Sequence, residues 1–62
     1  MPILRVEMLS GRSREQKKEL AEALTRETAR IAKCAPSAIN IVFTDVERED
    51  WAVAGVLSDE KK

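Results

Sequence analysis

Sixty-two residues allow one small domain spanning residues 1–62, and a chain this short buries only about 60% of its unfolded surface, too little for a self-sufficient core. Eleven basic residues balance eleven acidic ones, which argues against a nucleic-acid or anionic-membrane partner. One cysteine, Cys34, and no histidine exclude an intrachain disulfide and an ordinary zinc cluster, so oligomerisation is the remaining route to stability. The apolar runs are far shorter than the roughly 18 residues of a membrane span, and no signal-peptide pattern opens the chain; a cytoplasmic protein is expected.

The first eight residues organise the rest. Ile3 to Met8 alternates, with Leu4, Val6 and Met8 on one face and Ile3, Arg5 and Glu7 on the other, the period of a half-buried strand. Pro2 stands at the head of that strand and has two readings. As a residue without an N–H it starts an edge strand at no cost. If Met1 is removed, it becomes a secondary amine, and free α-amino groups titrate at roughly pH 7.7–8.0 in model peptides. In a chain without His or Tyr that amine is the best-placed general base near neutrality.

Ser10-Gly11 breaks the alternation, and Ser13-Arg14-Glu15-Gln16 reads as a capping box with Ser13 as N-cap. From Arg14 to about Lys33 the residues are good helix formers with no interior Gly or Pro. Leu20, Leu24, Ile31 and Cys34, with Ala21, Thr28 and Ala32, share one face that requires cover, whereas Glu15, Lys18, Glu22, Arg26 and Arg30 form a solvated face. Cys34 reads as a small hydrophobe near the helix end. Pro36 closes the helix region, and Ile39 to Asp45 forms a second strand with Ile39, Ile41 and Phe43 on one face.

Strand, helix, strand is a βαβ unit, which implies parallel strands and a right-handed crossover. Two strands and one helix leave a sheet edge bare, so the sheet must be extended by another subunit. Glu47 to Asp50 is a charged loop. Trp51-Ala52-Val53-Ala54-Gly55-Val56 is compatible with a short hairpin that clasps a neighbour, Trp51 being either interface packing or part of a pocket. Ser58 to Lys62 is polar and expected to fray.

Pro2 opening a strand, Gly11-Arg12-Ser13 leading into Glu15-Gln16-Lys17, Ala35-Pro36 after the helix, and Asp50-Trp51 before Ala54-Gly55 together resemble the 4-oxalocrotonate tautomerase family (2-hydroxymuconate tautomerases), in its small single-βαβ-unit form. The resemblance implies an α/β tautomerase fold, a homohexamer built as a trimer of dimers, and active sites at subunit boundaries. It implies an isomerase of aromatic-compound degradation in which Pro2 is the catalytic base, acting on enol forms of 2-oxo acids such as 2-hydroxymuconate or phenylenolpyruvate without cofactor or metal. Arg12 then matches the family arginine that holds a substrate carboxylate, a task suited to a guanidinium, and Trp51 matches an aromatic residue, usually Phe, that lines the pocket.

Asn40 falls where the best-studied members carry a second arginine. It keeps a hydrogen-bond donor and brings no charge, and loss of one such contact costs on the order of 10²–10³ in rate. A substrate with one carboxylate is therefore expected to be used better than a dicarboxylate. Two alternatives stay open: a hydratase, dehalogenase or decarboxylase on the same scaffold, and a non-catalytic subunit of a hetero-oligomer. Glu7 and Asp45 read as surface or strand-end charges rather than as groups that activate water.

Overall fold

The alternation at the N-terminus and the β-branched run after Pro36 become two parallel strands, β1 (Ile3–Leu9) and β2 (Asn40–Val46), joined by one long helix, α1 (Arg14–Ala32). The computed structural model describes residues 1–60. Cα register pairs Leu4 with Ile41, Val6 with Phe43 and Met8 with Asp45, and since partners in a parallel ladder share a face, the apolar residues of both strands form one floor. Leu4, Val6, Met8, Ile41 and Phe43 are half-buried, while Ile3, Arg5, Glu7, Asn40, Val42 and Thr44 on the other face are exposed.

The helix starts as expected. The Ser13 hydroxyl accepts from the Gln16 N–H at 3.1 Å and the Gln16 side chain accepts from the Ser13 N–H at 2.8 Å. It ends one residue earlier than expected, because Lys33 turns left-handed (φ 55°) and donates its N–H to the Ala29 carbonyl. Pro36 opens a separate 3-10 turn, Pro36–Ala38, that feeds β2. Strand β2 accordingly lies one residue further along the chain than the alternation indicated.

Beyond β2, the charged segment is a 3-10 turn (Arg48–Asp50), followed by the expected hairpin of β3 (Ala52–Val53) and β4 (Val56–Leu57). Ala54 and Gly55 both have positive φ (55° and 81°), the geometry of a type I′ turn, which Gly supplies freely and Ala does not. Residues Ser58–Glu60 do not fray: they form a further 3-10 turn, and the Ser58 N–H donates to the Trp51 carbonyl at 2.8 Å. Lys61 and Lys62, also expected to fray, lie outside the described residues.

Among the described residues none is fully buried. The chain exposes 5041 Å² against roughly 4000 Å² for a compact protein of 7.0 kDa, and its radius of gyration is 14.7 Å against about 10.5 Å for a compact domain of this length. The expected cover over the helix face is also incomplete. Leu20, Ala21, Leu24, Thr28 and Cys34 are half-buried, but Ile31 is 68% exposed and Ala32 is exposed, because β1 and β2 are too narrow a sheet to reach that side of α1. No helix among the described residues is long and apolar enough to cross a membrane.

Candidate functional site

Pro2 immediately precedes β1 and is half-buried. Its carbonyl accepts the Asn40 N–H at 3.0 Å, so the parallel register that aligns Ile3 with Asn40 also fixes Asn40 beside Pro2. The Asn40 side chain belongs to the exposed face of the sheet, with Ile3 and Arg5 nearby in register. Met1 is 89% exposed.

Arg12 and Trp51 belong to the opposite end. At about 3.3 Å per residue, β1 carries the chain about 20 Å from Ile3 to Leu9, and Arg12 lies beyond it, further from Pro2 than an arginine side chain extends. Trp51, half-buried, follows the 3-10 turn that leaves the C-terminal end of β2. Of the four site residues expected from sequence, Pro2 and Asn40 are thus brought together within one chain, and Arg12 and Trp51 are not.

The Arg12 end is the firmly held one. Lys17 Nζ meets Asp45 Oδ2 at 2.7 Å, tying the first turn of α1 to the end of β2. The Ser10 N–H donates to the Val46 carbonyl at 2.9 Å, and the Ser10 hydroxyl donates to Glu47 Oε2 at 3.2 Å. Between these anchors Gly11 takes φ 122°, a conformation that glycine adopts readily and side-chain-bearing residues rarely do, and Arg12 projects into solvent. An open groove of about 380 Å³ runs from Met8 past Arg12 and Gln16 to Leu20 and Ala23. A second hollow, on the back of the helix, is lined by Ala21, Thr25, Ala29 and Pro36. Pro2 lines neither of them.

The Lys17–Asp45 and Ser10–Glu47 contacts went unnoticed in the sequence, since each joins residues 28 and 37 positions apart and periodicity carries no such information. Among the described residues no cluster of three or more His, Cys, Asp or Glu side chains is arranged to hold a metal ion.

Comparison with known proteins returns one family. The family model described as "Tautomerase enzyme" matches residues 2–61. The 2-hydroxymuconate tautomerase of Comamonas testosteroni is 44% identical over 61 residues, covering 97% of this chain and 95% of that one. A probable tautomerase of Halalkalibacterium halodurans is 38% identical over 55 residues, covering 89% and 90%. Among solved structures, a heterohexamer 4-oxalocrotonate tautomerase from Chloroflexus aurantiacus superposes with a TM-score of 0.94 at 35% identity, covering 100% of both chains. A further 4-oxalocrotonate tautomerase homologue matches with a TM-score of 0.92 at 34% identity, covering 100% of this chain and 98% of its own.

Proposed function

Because this chain belongs to the tautomerase family, we propose that it is a cofactor-independent keto–enol tautomerase acting on enol forms of 2-oxo acids such as 2-hydroxymuconate or phenylenolpyruvate. With Met1 removed, the Pro2 secondary amine takes a proton from the substrate 2-hydroxyl and returns one to a carbon further along the conjugated system, leaving the 2-oxo acid. The amine must be unprotonated to begin, and an apolar setting with cations nearby lowers the proton affinity of such a group. Arg12 holds the substrate carboxylate by paired charge-assisted hydrogen bonds, Trp51 supplies an apolar wall, and the Asn40 amide donates to the developing enolate oxygen.

The observation that carries this reading is the setting of Pro2 in a chain of this family: half-buried at the origin of β1, its carbonyl tied to Asn40 at 3.0 Å, with Met1 exposed. Arg12 and Trp51 at the far end of the strands then act on the Pro2 of another subunit, which supports an oligomer, with hexamers of one chain as the proposed form.

The test is an ultraviolet assay of enol-to-keto conversion on both substrates, using protein whose intact mass confirms that Met1 is absent. Conversion is expected, and Pro2→Ala is expected to lower it by about 10²–10⁴, the range of a positioned acid–base group. Full turnover in Pro2→Ala rejects the reading. A second reading, a non-catalytic subunit of a mixed oligomer, draws on the neutral Asn40 and on the solved heterohexamer relative. Two chain masses in the complex isolated from source cells, with no turnover by this chain alone, would favour it.

A further inference from the structure

Arg12 and Trp51 share one end of the strand pair but stand on separate loops, residues 10–13 and 47–51. Each loop is ordered by its own bonds. The capping box fixes the first at Ser13; in the second the Asp50 N–H donates to the Glu47 carbonyl at 2.8 Å and the Trp51 N–H to the Arg48 carbonyl at 3.3 Å. What joins the two loops is narrower. The Ser10 N–H reaches the Val46 carbonyl as the last backbone rung, and past it, among the described residues, one side-chain hydrogen bond crosses from loop to loop, from the Ser10 hydroxyl to Glu47 Oε2 at 3.2 Å.

The levers on either side of that bond are short. Arg12 stands two residues from Ser10, at most about 7 Å of chain, and a 3-10 turn rising about 2 Å per residue leads from Glu47 to Trp51. Arg12 itself is exposed and makes no hydrogen bond or ion pair among the described residues, so its placement depends on the Gly11 bend and on the anchor at Ser10. Glu47 is likewise outside the ion pairs, and the Ser10 hydroxyl is the one hydrogen-bond partner its side chain has among the described residues.

We infer that Ser10 and Glu47 form a clasp that sets the spacing between Arg12 and Trp51, and that both are positioning residues for a substrate carrying a carboxylate at one end and a flat conjugated group at the other. The guanidinium takes the carboxylate and the indole face takes the conjugated group. With the span set before the ligand arrives, less loop freedom is lost on binding. The inference rests on the proposed reading of Arg12 and Trp51 as substrate contacts, and it adds the device that holds them in relation.

The test pairs rates on phenylenolpyruvate and 2-hydroxymuconate with a titration that needs no turnover. Trp51 is the sole tryptophan and the chain has no tyrosine, so the emission reports on the Trp51 turn; benzoate, a carboxylate on a flat ring that cannot tautomerise, is the probe. E47A and S10A are each expected to raise KM for both substrates and Kd for benzoate by about three- to tenfold, with kcat within about twofold, the share of one hydrogen bond that acts on binding. S10A with E47A together is expected to cost no more than either alone, because both delete the same bond. E47Q keeps an oxygen that accepts from the Ser10 hydroxyl and is expected to restore the unaltered values, a rescue that general loosening of the fold would not give. Should E47A fail to fold, S10A breaks the bond from the other side. If neither substrate is turned over, the proposed activity fails by itself, and a benzoate response weakened by E47A and restored by E47Q still supports the clasp. Unaltered KM and Kd in E47A, a fall of KM in kcat's place or in both E47A and E47Q, which would mark Glu47 as acting by its charge on Arg12, multiplying effects in the double variant, or Trp51 emission indifferent to benzoate would each overturn it.

Discussion

The two ends of the strand pair are built differently. At one end the chain leaves β1 through Ser10-Gly11 and enters α1 through a complete capping box, with Lys17 fastened to Asp45 and Ser10 to Glu47. At the other end Pro2 is joined to β2 by the Asn40 backbone hydrogen bond, and no side-chain hydrogen bond or ion pair among the described residues reinforces it. The fastened end fixes where Arg12 projects. On the proposed reading, the residue that meets the ligand has no local side-chain partner, while the loop that carries Arg12 is braced by Lys17–Asp45 and Ser10–Glu47.

This contrast divides the expected effects of substitution. Changes at the open end alter chemistry and spare stability. Asn40→Arg introduces a cation beside Pro2 at an exposed position, and turnover of a dicarboxylate enol relative to a monocarboxylate one is expected to rise about tenfold or more, with an unchanged melting temperature. An unchanged substrate ratio would sever Asn40 from specificity.

Changes at the fastened end have the opposite signature. Ser13→Ala removes the N-cap and costs about 1 kcal/mol, a drop of about 4–8 °C in melting temperature, whereas the ratio between the two substrates stays where it was. Lys17→Met keeps the stem of the side chain and deletes an ion pair whose members are 27% and 40% exposed, so the expected loss is smaller, about 0.5 kcal/mol after solvent screening. Both are measured at one protein concentration, because unfolding of an assembled chain is linked to dissociation. A substrate ratio that moved with either variant would show that the two ends are not independent.

The elements were legible where a local rule governs them. Alternation at Ile3 to Met8 marks β1 because one face packs and the other does not, and Ser13 with Gln16 marks the helix start because both cap bonds are made within four residues. The rule fails where the backbone does something its residue does not advertise. Lys33 ends α1 in a left-handed conformation without the usual glycine, and Ala54 accepts φ 55° because Gly55 and the two paired strands hold the turn around it. Ser58 looked like the start of a loose tail, yet its N–H finds the Trp51 carbonyl seven residues back.

The candidate site divides along the same line. Pro2, Arg12, Asn40 and Trp51 were each put forward from residue type and family resemblance, which also implied sites at subunit boundaries; which of the four one chain brings together was not legible. Their separation is a consequence of direction: two parallel strands carry Pro2 and Asn40 to one end and deliver Arg12 and Trp51 to the other.

By itself the sequence determined the order of the elements, the apolar face of each, and the shortage of core that leaves no described residue fully buried, since these depend on spacing along the chain and on its length. Only the tertiary structure decided which backbone groups of β1 are spent on β2 and which stand open, which charges brace the helix, and how far Arg12 lies from Pro2. Those depend on strand register and crossover, where residues nearly forty positions apart meet, and a shift of one residue would turn every side chain of β1 to the other face.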